Sequence, residues 1–78
     1  MQKSIHTKRQ ERIRALLKAA RKKAGLTQDE LAERIGAYKT FVSKYERGER
    51  QVDVVEFIAL AEALGLDPKA LIDQVMGE

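Results

Sequence analysis

Between Lys39 and Arg47 the chain sets out Lys39, Thr40, Ser43, Lys44 and Arg47, with Glu46 the single acid among them. At spacings of three, four and seven, these cations and hydroxyls fall on one face of a helix. Such a face is chemically a bank of hydrogen-bond donors and positive charge, suited to phosphates and to the acceptor edges of bases. It is not suited to catalysis. The chain has no cysteine and one histidine, His6, and no nucleophile–base pair or glycine-rich phosphate loop accompanies Glu46. The preceding segment has the opposite character, with Asp29, Glu30 and Glu33 on its polar side.

The elements that hold this face are legible from punctuation. In "LTQDELAERIGAYKTFVSKYERGE" two short apolar-periodic segments flank Gly36. Five helices and no strands are expected. The first starts at Thr7, with Gln10 three residues on, and carries Ile13, Leu16, Leu17, Ala20 and Ala24 as its apolar stripe before Gly25. The second starts at Thr27, with Glu30 completing a capping box, buries Leu31, Ala32 and Ile35, and stops at Gly36. The third is expected from Tyr38 to Arg47, burying Phe41 in part, Val42 and Tyr45. The fourth runs from Asp53 to Leu64, and the fifth from Asp67, with Pro68 as its first helical residue, to near Gly77. Residues 1–6 are expected to be a flexible basic arm and residues 7–78 a single domain.

The 78 residues carry 15 Lys/Arg against 12 Asp/Glu, unevenly placed. Residues 1–23 hold nine basic residues against Glu11, whereas residues 53–78 hold Lys69 against six acids. A basic front and an acidic back suit a polyanion on one side, although a solvated surface of a small helical protein looks similar. Most of the basic residues of the first helix are expected to be such a surface, with Lys3, Lys8 and Arg9 the candidates for extra contacts. No apolar run is long enough to span a bilayer, and no signal-peptide core is present. A cytoplasmic location and no cofactor are expected.

The segment "GLTQDELAERIGAYKTFVSKYERGER", followed by "DVVEFIALAEALGLDP", resembles the Cro/phage-repressor (XRE) class of helix-turn-helix DNA-binding domains over residues 12–72. The resemblance implies an all-α, five-helix Cro/repressor-like bundle, a symmetric dimer on palindromic operator DNA, and a third helix inserted in the major groove. Small members of the class include phage repressors, restriction–modification controllers and antitoxins. Carried onto this chain, Lys39, Thr40, Ser43 and Lys44 sit where the family reaches base edges. Gln28, Tyr38, Arg47 and Arg50 sit at the DNA backbone, and Arg21 and Glu46 match a salt bridge between the first and third helices. The chain departs from the pattern at Tyr38, where a small cap or proline is common, and at Lys39, where glutamine is common. Glutamine reads adenine, whereas lysine suits N7 and O6 of guanine or a phosphate, so the base preference does not transfer.

The last two helices hold more apolar residues than one core stripe needs. Val55, Ile58, Ile72 and Met76 are left over, as a dimer seam or as a broad core seam closed by the tail. The expected function is a sequence-specific transcriptional regulator that binds double-stranded DNA as a homodimer. The alternative is an antitoxin-type module that holds a toxin protein and autoregulates its operon.

Overall fold

A computed structural model describes residues 7–77, so the expected arm at residues 1–6 and the lone histidine lie outside the described residues. Five helices and no strand occur among them: α1 (Lys8–Lys23), α2 (Gln28–Arg34), α3 (Phe41–Glu46), α4 (Val54–Ala63) and α5 (Pro68–Met76). Their starts follow local chemistry. The hydroxyl of Thr7 accepts from the Gln10 N–H, and Thr27 with Glu30 and Asp53 with Glu56 form reciprocal capping boxes. Pro68 opens α5 behind Asp67, whose carboxylate accepts from the Lys69 N–H.

The first four helices end alike. In α2 the Gly36 N–H donates to the Glu33 carbonyl and the Ala37 N–H to that of Ala32, with Gly36 at φ +68°. This is the left-handed glycine close that satisfies the last carbonyls of a helix. Arginines from other elements finish two ends that lack a basic residue of their own. Arg12 of α1 donates to the Val75 carbonyl of α5 at 2.8 Å, and Arg34 of α2 to the Ala63 carbonyl of α4 at 3.5 Å.

The helices pack around Leu17, Leu31, Ala32, Phe41, Val42, Tyr45, Phe57, Leu60, Ala61 and Leu71. Here α1 lies against α3 and α5, α2 against α3 and α4, and α4 against α5. Ala32 of α2 is buried in the core, where a longer side chain would push its neighbours apart. Phe41, expected to be only partly inside, is 4% exposed and meets Tyr45 edge-on with ring centroids 5.3 Å apart. Ala24, expected on the apolar stripe of α1, is instead exposed, because the helix has already ended and it serves as the carboxyl cap.

The third helix also differs from expectation. It spans Phe41–Glu46 rather than Tyr38–Arg47. Tyr38, Lys39 and Thr40 form a turn closed by the Phe41 N–H on the Tyr38 carbonyl at 3.0 Å. Thr40 precedes the helix at φ −88°, ψ 1°, and its side chain caps nothing. The close of α2 runs on through Ala37, leaving only this turn before Phe41 must enter the core.

Candidate nucleic-acid interface

Three buried or half-buried polar side chains fix the orientation of α3. Arg21 of α1 is 8% exposed, and the Glu46 side chain 2%. The Arg21 guanidinium grips Glu46 with both prongs, Nε to Oε2 at 2.8 Å and Nη2 to Oε1 at 3.1 Å, while its Nη1 donates to the Leu26 carbonyl at 2.8 Å. Gln28, the first residue of α2, donates from Nε2 to Glu46 Oε1 at 2.8 Å. One carboxylate on α3 thus ties α1 to α2, and Arg21 itself holds the α1–α2 turn. The hydrogen bond to Glu46 holds the Arg21 pKa above its ordinary value, against the opposing effect of burial. Gln28 was expected at a DNA phosphate. Its amide is half-buried and partly committed to Glu46, leaving one N–H and the amide oxygen for another partner.

With the buried side of α3 held inward, the opposite side faces out. Tyr38 is 87% exposed, and Lys39, Thr40, Lys44, Arg47 and Arg50 are all exposed. Ser43 is half-buried, and its hydroxyl donates to the Thr40 carbonyl at 3.0 Å, so it turns an acceptor rather than a proton outward. Because α3 starts late, Lys39 and Thr40 lie in the turn before the helix and Ser43 and Lys44 within it.

Three of the cations are already engaged by the chain's own carboxylates, which sequence reasoning did not anticipate. Arg47 forms two bonds of 3.0 Å to Glu49. Arg50 forms two to Glu56, at 2.9 and 2.7 Å, and a third to the Gln51 carbonyl, with its guanidinium 4.6 Å above the Phe41 ring. The Lys39 ammonium lies 3.7 Å from Asp29. These pairings raise the pKa values of Arg47 and Arg50 and hold the carboxyls of Glu49 and Glu56 below the ordinary range, in each case chiefly through the hydrogen bonds. Lys44 carries no ion pair among the described residues. The two-residue spacing of Arg47 and Glu49 signals no contact on a helix, and the pair forms where the chain leaves α3 at Arg47. Nothing in the spacing of Arg50 and Glu56 signals a contact.

The leftover apolar residues lie on the surface. Val55 is 75% exposed, Met76 54%, and Ile58 and Ile72 about 40%. Val54, not singled out from sequence, joins them at 74%. On α4, Val54 and Val55 lie one turn from Ile58, and on α5 Ile72 lies one turn from Met76, so each helix presents an apolar stripe outward. Among the described residues no cluster of acids or histidine is suited to a metal ion, and no helix is long and apolar enough to cross a membrane.

A family profile described as "Helix-turn-helix" matches residues 17–71. The chain is 35% identical over 51 residues to the control protein C.BamHI of Bacillus amyloliquefaciens, a match covering 65% of this chain and 63% of that protein. It is 38% identical over 53 residues to an uncharacterized HTH-type transcriptional regulator of Methanothermobacter thermautotrophicus, covering 68% and 77% of the two. Among solved structures, an XRE-family like protein from Pseudomonas syringae pv. tomato superposes with a TM-score of 0.83 at 45% identity, over 91% of this chain and 87% of that one.

Proposed function

The chain belongs to the XRE-type helix-turn-helix family of DNA-binding transcriptional regulators, a family of non-enzymes, and from that premise we propose that it binds palindromic operator DNA as a homodimer with α3 in the major groove. Lys39, Thr40, Ser43 and Lys44 are the proposed base-edge contacts. Gln28, Tyr38, Arg47 and Arg50 are the proposed contacts to the sugar–phosphate backbone, Gln28 and Arg50 through the N–H groups their internal bonds leave over. Backbone contacts set register, and base contacts set sequence preference.

The observation that carries the reading is the Arg21–Glu46–Gln28 lock. A six-residue helix has little stability of its own, yet α3 is fixed at its carboxyl end to two other helices, with Lys44 exposed and without an ion pair among the described residues. A rigid helix presenting donors outward is what groove readout requires.

The dimer follows from reach. One α3 is about 9 Å long and contacts only a few base pairs, too few for selectivity among genomic competitors. A two-fold pair doubles the contact and asks for half-sites about 34 Å apart on one DNA face. The apolar surface of Val54, Val55, Ile58, Ile72 and Met76 is the proposed seam.

Selection of bound sites from random duplex DNA tests the whole reading. The expected product is a palindrome with that half-site spacing. Lys44→Ala should lower discrimination at one operator position by about 1–3 kcal/mol if Lys44 meets a base, or weaken all sequences equally if it meets a phosphate. Ile58→Glu should sediment as a folded monomer and lose preference for the palindrome over a half-site. Selection without a palindrome, with wild type monomeric at tens of micromolar, would refute the dimer and leave the apolar surface to another protein.

A further inference from the structure

We infer that Glu49 restrains the affinity of this protein for DNA by holding Arg47 in an internal ion pair that competes with a phosphate for the same forked pair of N–H groups; the inference rests on the proposal that Arg47 meets the DNA backbone. The geometry is that of a phosphate stand-in. Two carboxylate oxygens take two guanidinium N–H groups at 3.0 Å, the forked arrangement a phosphate would also use. Both side chains are more than half exposed, at 56% and 53%, so nothing in the fold obliges them to stay together.

The two other acid–cation contacts that involve proposed DNA-contacting cations differ in kind. Glu56, which holds Arg50, also accepts the Asp53 N–H and so closes the start of α4, with only 26% of its side chain exposed. Its removal would disturb the fold. The Lys39–Asp29 contact is long, at 3.7 Å, and both groups are largely in solvent. Glu49 is the one acid here that engages a proposed phosphate contact closely while its side chain is given no other hydrogen bond among the described residues.

Forked docking of Arg47 on a phosphate therefore replaces one partner by another rather than pairing a free cation. The displaced Glu49 is left beside phosphates, where its charge is repelled and retains a counterion. Both effects weaken binding on any sequence, because both act through the backbone and not the bases. A small basic protein whose phosphate contacts were all free would bind bulk DNA more tightly and leave it more slowly.

The test is titration of the full chain against duplex DNA of arbitrary sequence by fluorescence anisotropy, at several salt concentrations. Wild type, Glu49→Gln, Arg47→Ala and the double variant are compared. Glu49→Gln should bind about three- to fivefold more tightly, the scale of an exposed ion pair, and its log–log salt dependence should steepen by up to about one. Arg47→Ala should bind more weakly than wild type, and adding Glu49→Gln to it should give little further gain. Thermal melts of both single variants should match wild type, since both residues are exposed. If Glu49→Gln binds like wild type while Arg47→Ala is weakened, the restraint is refuted and the Arg47 contact stands. If the gain from Glu49→Gln persists without Arg47, diffuse charge is responsible and the pairing mechanism fails. If Arg47→Ala binds like wild type, the contact assignment itself is wrong and the inference falls with it.

Discussion

Replacing Arg21 by alanine should cost the fold far more than an ordinary charge substitution. The residue is 8% exposed and its side chain makes three hydrogen bonds, two to Glu46 and one to the Leu26 carbonyl. Its loss leaves a carboxylate whose side chain is 2% exposed without its counter-charge, and strips the Leu26 carbonyl of that donor. Breaking a buried pair from one side typically costs about 3–5 kcal/mol. Gln28 still donates to Glu46, and partial opening would admit water, so the lower end, about 3 kcal/mol, is expected. For a chain of this size that is a large part of a stability of roughly 4–12 kcal/mol. At about 4–8 °C per kcal/mol the melting temperature should fall by at least ~12 °C. Thermal and urea unfolding followed by circular dichroism measure it. Arg21→Met combined with Glu46→Leu removes both charges at similar volume and should recover most of the loss, because an apolar replacement leaves no unpaired charge. A melting temperature within about 3 °C of wild type for Arg21→Ala would refute the premise that the pair is desolvated. So would a double variant no better than the single one.

Tyr45→Phe should stabilise the protein by about 1 kcal/mol, because the Tyr45 hydroxyl is buried without a partner among the described residues and burial already raises its pKa; a lower melting temperature would show that the hydroxyl is satisfied after all. Acid should destabilise the fold: the carboxyls of Glu56 and Glu30 lie below their ordinary value of 4.5, so the unfolded chain binds more protons, and the stability they confer is complete above that value and lost as pH falls through the depressed ones. Urea midpoints at pH 7, 5, 4 and 3 should decline mainly below pH 5, and Glu56→Gln should flatten part of that decline. Gly48→Ala should cost about 1–2 kcal/mol from φ +78° alone, plus an added penalty where the new Cβ meets the Arg14 guanidinium at 3.3 Å. Gly36→Ala, at φ +68° with nothing within 4 Å of the new Cβ among the described residues, should cost the backbone part only, so equal losses would show that Arg14 yields freely.

The number of helices, most of their ends and the family are written in the sequence. Thr27 with Glu30, Asp53 with Glu56, and Gly25, Gly36, Gly48 and Gly65 mark helix ends through bonds three to five residues long, and such bonds are written in spacing. The core positions Leu17, Leu31, Val42, Tyr45 and Leu60 follow from period alone. Arg21 and Glu46 were legible only through the family resemblance, since 25 residues separate them. The tertiary structure alone decided the rest. Phe41 is drawn fully into the core and α3 begins there, so Lys39 and Thr40 sit in a turn that no cap signal announced. Gln28 reaches Glu46 across 18 residues and Arg12 reaches Val75 across 63, because α1, α2, α3 and α5 cross where they do. Val54 is left outside by the rotation of α4 about its own axis, although its composition would suit either side. Local bonds are properties of spacing. Which polar groups meet across helices, and which apolar ones are left uncovered, depends on crossing angles and rotations that no single segment encodes.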